Sequence, residues 1–201
     1  MLTAGVTGGI GTGKTTFARL LEARGAVVID ADALGRLALA PGAPAWRAVV
    51  GQFGNEMIVP NSMEIDRRKL ADVVFKDKNK LVALNEIVHP VILAGVADSL
   101  EALEGTDSIV VIDAALIVEL GLDKDVDVLV VVAADRDVRE QRVMTDRGMS
   151  LPDVRARVAV QNDPEDLKAR ADIVVTNNGS IADLERDADR VWTELRAREI
   201  A

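Results

Sequence analysis

The segment GVTGGIGTGKTTFARLL, residues 5–21, sets five glycines and four threonines around a single lysine, Lys14. A short apolar run precedes it and an amphipathic one follows. Glycine loses more conformational freedom on folding than any other residue and adds no packing, so such a cluster needs a geometric reason. GGIGTGKT, residues 8–15, fits the phosphate-loop pattern of two glycines five apart followed by Lys and Thr. Glycines let successive backbone N–H groups converge on an anion in a concave site that side chains would block. A helix beginning near Lys14 adds the positive end of its dipole. In such a loop the lysine reaches the β- and γ-phosphates and the hydroxyl of Thr15 can sit on a magnesium ion. The dinucleotide pattern G-x-G-x-x-G fails: counted from Gly9 or Gly11, the third glycine position holds Lys14 or Thr16.

The remaining composition narrows the class. The 201 residues are 49% hydrophobic and 28% charged, as in a soluble globular chain of one domain or one domain with an insertion. With no cysteine there are no disulfides, thiolate metal sites or cysteine nucleophiles. The longest apolar run, VLVVVAA at 128–134, is far short of the about 20 residues of a membrane span. No signal-peptide pattern opens the chain, so a cytoplasmic protein without a membrane partner is expected. A net charge of −9 argues against broad nucleic-acid binding, which rests on basic surface, but not against a small phosphorylated ligand. Nothing sets an oligomeric state; a monomer is the simplest arrangement.

Near-continuous apolar, β-branched runs at 4–6, 26–30, 108–113, 126–133 and 171–176 suit strands buried on both faces of a parallel sheet. Helical patterns lie between several of them, at 14–24 and 135–147, and a closing helix is expected over 180–198, with Ile181, Leu184, Ala188, Val191 and Leu195 on one face. The expected fold is an α/β three-layer sandwich with a five-stranded parallel sheet. Residues 32–104 break the alternation with helix-like pieces only, and a shorter irregular piece covers 147–169. The division is therefore a nucleotide-binding core (1–31, 105–146 and 170–201), a helical subdomain (32–104) and a lid (147–169).

A phosphate loop alone covers kinases, GTPases and motor ATPases. No guanine-selecting N-K-x-D occurs, since Asn79-Lys80 is followed by Leu-Val. A small-molecule kinase needs an acceptor pocket and a water-excluding lid, which the two irregular regions can supply. Asp30 and Asp32 of IDAD end the second strand, where a parallel sheet presents its ligands. A carboxylate there can accept the acceptor hydroxyl's hydrogen bond and take its proton. The competing reading makes either Asp an ordinary cap of the following helix.

TGGIGTGKTT, VIDADALGR, PGAPAW, FGNEMI, IDRRKLADVVF, NEIVHPVI and DIVVTNNGS, in that order, resemble the motifs of the dephospho-coenzyme A kinase family across nearly the whole chain. The resemblance implies a phosphate-loop core with a helical substrate domain and a lid. It also implies phosphorylation of the ribose 3′-hydroxyl of dephospho-coenzyme A by ATP with Mg²⁺, the last step of coenzyme A synthesis. By the same resemblance Asp32 is the catalytic base. Gly8, Gly9, Gly11, Thr12, Gly13, Lys14, Thr15 and Thr16 bind ATP, and Arg142 contacts the transferring phosphate. Arg147 and Arg157 are lid candidates against a surface-charge reading, and His89 of the HP motif belongs to the substrate domain as architecture or contact, with Pro90 suited to a helix start. Asn177 of TNNG flanks the adenine, although Thr176 stands where Asp is common. In DAALIVELGL the family's proline is replaced by Ala115, and Asp113 can join the magnesium shell beside Thr15. Two other functions stay open: a kinase of another small alcohol or a nucleoside monophosphate, and a non-catalytic, nucleotide-gated binding protein.

Overall fold

The computed structural model describes residues 1–148, 150–158 and 164–199, without the side chains of Arg147, Asp153, Ala156 and Arg157. The chain divides into two compact units, one made of Met1–Asp30 and Leu100–Ala201, the other of Ala31–Ser99.

The first unit is built on five parallel strands: β1 (Leu2–Thr7), β2 (Val27–Asp30), β3 (Ile109–Asp113), β4 (Val128–Ala133) and β5 (Ile173–Thr176). Their order is β2-β3-β1-β4-β5. β3 is buried along its length and β4 up to its last residue, so strands with no polar alternation end in the middle of the sheet. Leu2, Ala4 and Val6 point to one face, where they meet Phe17 and Leu21 of α1 (Lys14–Glu22) and Leu184, Ala188, Val191 and Leu195 of α9 (Ile181–Glu199). Ile181 departs from the expected stripe: it is 57% exposed, because it opens the helix beyond the sheet's reach. Parallel pairing puts every strand's carboxyl end on one edge, with Val6 beside Asp113 and Asp30 beside Asp113.

α6 (Arg136–Arg147) follows β4 and continues to α7 (Leu151–Val158) and α8 (Pro164–Arg170). The region expected to be irregular thus carries two short helices. Arg155 of α7 and Arg136 both donate to Glu140 of α6, at 3.1 and 2.9 Å. The Arg155 guanidinium, and then that of Arg136, hold the Glu140 carboxyl below the usual glutamate range.

The second unit is helical, as its sequence lacks strand-length apolar runs: α2 (Ala31–Ala38), α3 (Pro44–Phe53), α4 (Arg67–Val74) and most of α5 (Lys78–Glu101). Asp66 caps α4 by accepting from the Lys69 N–H at 3.0 Å. Trp46, Val49, Met57, Ile65, Leu70 and Val74 form its core, joined by Leu81, Leu84 and Ile87 of α5. Trp46 donates its indole N–H to the Met63 carbonyl at 2.7 Å, which satisfies the polar end of a mostly apolar ring. α5 corrects an expectation. Pro90, expected at a helix start, lies inside one 24-residue helix. Proline there removes one backbone hydrogen bond, a loss the tertiary packing of Ile87 and Ile92 on either side overrides. α5 is also apolar and long enough by composition to cross a membrane, though its Ile92 and Val96 are buried in the folded chain.

Candidate active site

The glycine segment links the carboxyl end of β1 to the start of α1. Gly13 caps α1 in a left-handed conformation, with no side chain capping the helix and no acidic residue in its first turn. No capping side chain competes with an external anion for the N-terminus of α1. Gly11 (φ 78°) and Gly13 (φ 89°) lie where side chains are disfavoured. Both are also crowded: a Cβ on Gly11 would meet the Arg139 carbonyl oxygen at 2.7 Å, and one on Gly13 would strike the Asn177 side-chain amide.

Lys14 is 7% exposed and its ammonium is ion-paired with Asp113, which is 1% exposed. Asp113 stands at the end of β3 because a central parallel strand carries its last residue to the same edge as the loop. Thr15 and Thr16 are exposed in the first turn of α1, and Thr12 is buried with its hydroxyl donating to the Gly9 carbonyl at 2.9 Å. Gly8, Gly9, Thr12 and Arg139, with Val131–Ala134 and Leu167, line a cavity of about 40 Å³ beside the loop, room for two or three waters and not for a nucleotide.

Asn177 and Arg142 face inward rather than outward. The Asn177 amide donates to the Thr12 carbonyl at 2.8 Å and so ties the turn after β5 to the glycine loop. Arg142 donates to the Asn177 carbonyl at 2.9 Å and, more weakly, to its side-chain oxygen and the Gly179 carbonyl at 3.4 Å each. These bonds tie Arg142 to the turn after β5. The physical reason is local: Asn177 is 7% exposed, and its buried polar atoms need partners.

Arg139 belongs to none of the motifs quoted from the sequence. It is 6% exposed and donates through Nε to the Ile10 carbonyl at 2.9 Å. Burial lowers its hold on a proton while the neighbouring Glu140 raises it, and an arginine stays charged under either influence. The available signal was its place one turn before the buried Val143 on the inner face of α6.

Asp30 closes β2 and Asp32 falls in the first turn of α2, in the second unit. His89 is half-buried in the middle of α5, its Nε2 buried without a hydrogen-bond partner, and burial pushes its pKa below 6.5. The side chains of Arg147 and Arg157 lie outside the described residues.

An all-parallel sheet in this order, with a glycine loop from its central strand braced over a helix N-terminus, defines a phosphate-loop kinase fold. Shikimate kinase from Acinetobacter baumannii shares that fold, with a TM-score of 0.54 at 13% identity over 100% of this chain and 96% of that one. The family model for dephospho-CoA kinase matches residues 2–183, and the chain belongs to that family. The dephospho-CoA kinase of Thermobifida fusca is 42% identical over 199 residues, 98% of each chain. That of Arabidopsis thaliana is 36% identical over 98% of this chain and 84% of its own. The dephospho-CoA kinase of Campylobacter jejuni superposes with a TM-score of 0.70 at 25% identity over 96% of each chain.

Proposed function

We propose that this chain transfers the γ-phosphoryl group of ATP to the ribose 3′-hydroxyl of dephospho-CoA, releasing CoA and ADP as the last step of CoA synthesis in the cytoplasm. The observation that carries the reading is the uncapped N-terminus of α1 under a braced glycine loop, in a chain whose family is named for this reaction.

Phosphoryl transfer asks little covalent work of a protein and mostly positioning and charge stabilisation. The amides of Gly8–Thr16 cradle the phosphates, and Lys14 moves between Asp113 and the β- and γ-oxygens. Asp32 accepts the hydrogen bond of the 3′-hydroxyl and takes its proton. The hydroxyl oxygen forms the new bond to the γ-phosphorus as the bond from that phosphorus to the β,γ-bridging oxygen breaks, and ADP leaves with the electron pair. Arg142 anchors Asn177 and supplies positive charge beside the loop. The helical unit 32–104, with His89, serves the acceptor, and the 147–169 segment serves as lid through Arg147 and Arg157.

The donors present fit Mg²⁺. Among the described residues no three His, Cys, Asp or Glu gather as a dedicated metal site, while the Thr15 hydroxyl and Asp113 are hard oxygen donors at the loop. Magnesium commonly takes one or two protein oxygens and completes its shell with phosphate and water. When bound it neutralises charge between the β- and γ-phosphates.

The test is a panel of acceptors offered with ATP: dephospho-CoA, nucleoside monophosphates, shikimate and simple alcohols, with products read by mass. Dephospho-CoA alone is expected to give a phosphorylated product. Turnover of another acceptor without dephospho-CoA would point to a different small-molecule kinase, and ATP binding without any product to a nucleotide-gated binder.

A further inference from the structure

We propose that Arg139 is a positioning residue for phosphoryl transfer, fixing the peptide between Ile10 and Gly11 so that the Gly11 amide faces the phosphates. The proposal rests on the functional reading above and concerns the same loop.

The argument starts from peptide geometry. A trans peptide is planar, with its C=O and the next residue's N–H pointing to opposite sides. Among the described residues every peptide bond is trans. The Ile10 carbonyl is taken by Arg139 Nε at 2.9 Å, which turns the Gly11 N–H the other way. The Thr12 carbonyl is taken by the Asn177 amide at 2.8 Å, which likewise turns the Gly13 N–H away from Asn177. The Gly9 carbonyl accepts from the Thr12 N–H at 3.2 Å and the Thr12 hydroxyl at 2.9 Å. Three carbonyls of one short loop are thus held by donors, two of them from outside it.

This matters because the loop's glycines give it freedom it must not use. Rotation of the 10–11 peptide would aim a carbonyl dipole at a polyphosphate in place of a donor, replacing an attraction with a repulsion. Asn177 guards the second peptide with a neutral amide. Arg139 guards the first with a charged, buried donor, and charge-assisted hydrogen bonds are about twice as strong as neutral ones. The Arg139 backbone contributes too: its carbonyl oxygen and Cα lie 2.7 and 3.1 Å from where a Gly11 Cβ would stand. Main chain and side chain of one residue on α6 therefore fix the position and the orientation of the same loop peptide. Arg142, three residues on, holds Asn177, so a single helix supplies the first brace and secures the second.

Such a residue acts on nucleotide and not on acceptor, which sets the test. In the full-length protein, Arg139→Ala is expected to raise KM for ATP by about tenfold or more, the effect of losing a hydrogen bond to a charged group. KM for dephospho-CoA should stay within about twofold of wild type, and Arg139→Gln, which keeps an N–H donor, should recover part of the loss. An unchanged KM for ATP, equal rises in both KM values, or a Gln variant no better than Ala would overturn the proposal. Should the Ala variant fail to fold, ¹⁵N-glycine spectra of the wild type titrated with ADP decide. The Gly11 and Gly13 amide signals should both move downfield, and a Gly11 signal that stays put while ADP binds refutes the role of Arg139. Failure of the wild type to bind ADP at all would instead contradict the kinase reading itself.

Discussion

At the scale of single residues, Lys14 and Asp113 form the most consequential contact, a buried pair whose two charges compensate each other. Removing one partner of such a pair leaves a buried charge alone and costs about 3–5 kcal/mol. Lys14→Ala should therefore lower stability by that order in a denaturant titration and abolish measurable turnover, whereas Lys14→Arg, which keeps the charge, should be the more stable of the two. Asp32→Asn is expected to slow turnover with little change in KM for ATP; a wild-type rate would remove Asp32 from proton transfer. His89 is the one histidine of the chain, so its imidazole gives a single set of NMR signals. Burial disfavours its charged form, and the titration midpoint should fall below 6.5. The unfolded chain then binds the proton more readily, so His89 contributes stability above pH 6.5 that declines as the pH falls through the lowered midpoint. A midpoint at or above 6.5 would show that the ring is solvated or newly partnered.

Among the elements, α6 binds the site together: it braces the loop through Arg139, holds the turn after β5 through Arg142, and meets α7 through Glu140. Because Glu140 sits below the usual glutamate range, its links to Arg155 and Arg136 hold above about pH 4.5 and weaken as the pH falls through the lowered value. Glu140→Gln should loosen α7 at neutral pH as well, seen as faster amide exchange in 151–158 with the exchange of β4 unchanged. The central strands and α1 were legible because a buried strand shows an apolar run and a phosphate loop demands glycine at fixed spacing, while the edge strands β2 and β5 are apolar yet partly exposed. α5 was misread for an equally physical reason. Pro90 is a strong local signal for a helix start, and only the packing on both sides of it shows that the helix runs through. The inward roles of Arg139 and Asn177 were hidden because a side chain's direction depends on which helix face meets the loop. That meeting belongs to the tertiary fold, as the pairing of Asn177 with Thr12 across 165 residues illustrates.

For the whole molecule, stability should depend on nucleotide. A ligand that binds only the folded chain at a hundred times its Kd stabilises it by about 2.7 kcal/mol, so Tm should rise with ADP concentration. The core of the first unit sets the baseline: Phe17 is fully buried between sheet and α9, and Phe17→Ala should cost about 3–5 kcal/mol. The family resemblance spans the chain, from the loop at its start to TNNG near its end, and the family model covers residues 2–183. The most direct measurement is a reaction of the purified protein with ATP, magnesium and dephospho-CoA, followed by phosphorus NMR and mass. The account predicts one ADP for each CoA formed, with the new phosphate on the ribose C3′ oxygen. ATP hydrolysis without CoA, or a phosphate placed elsewhere on the acceptor, would contradict it.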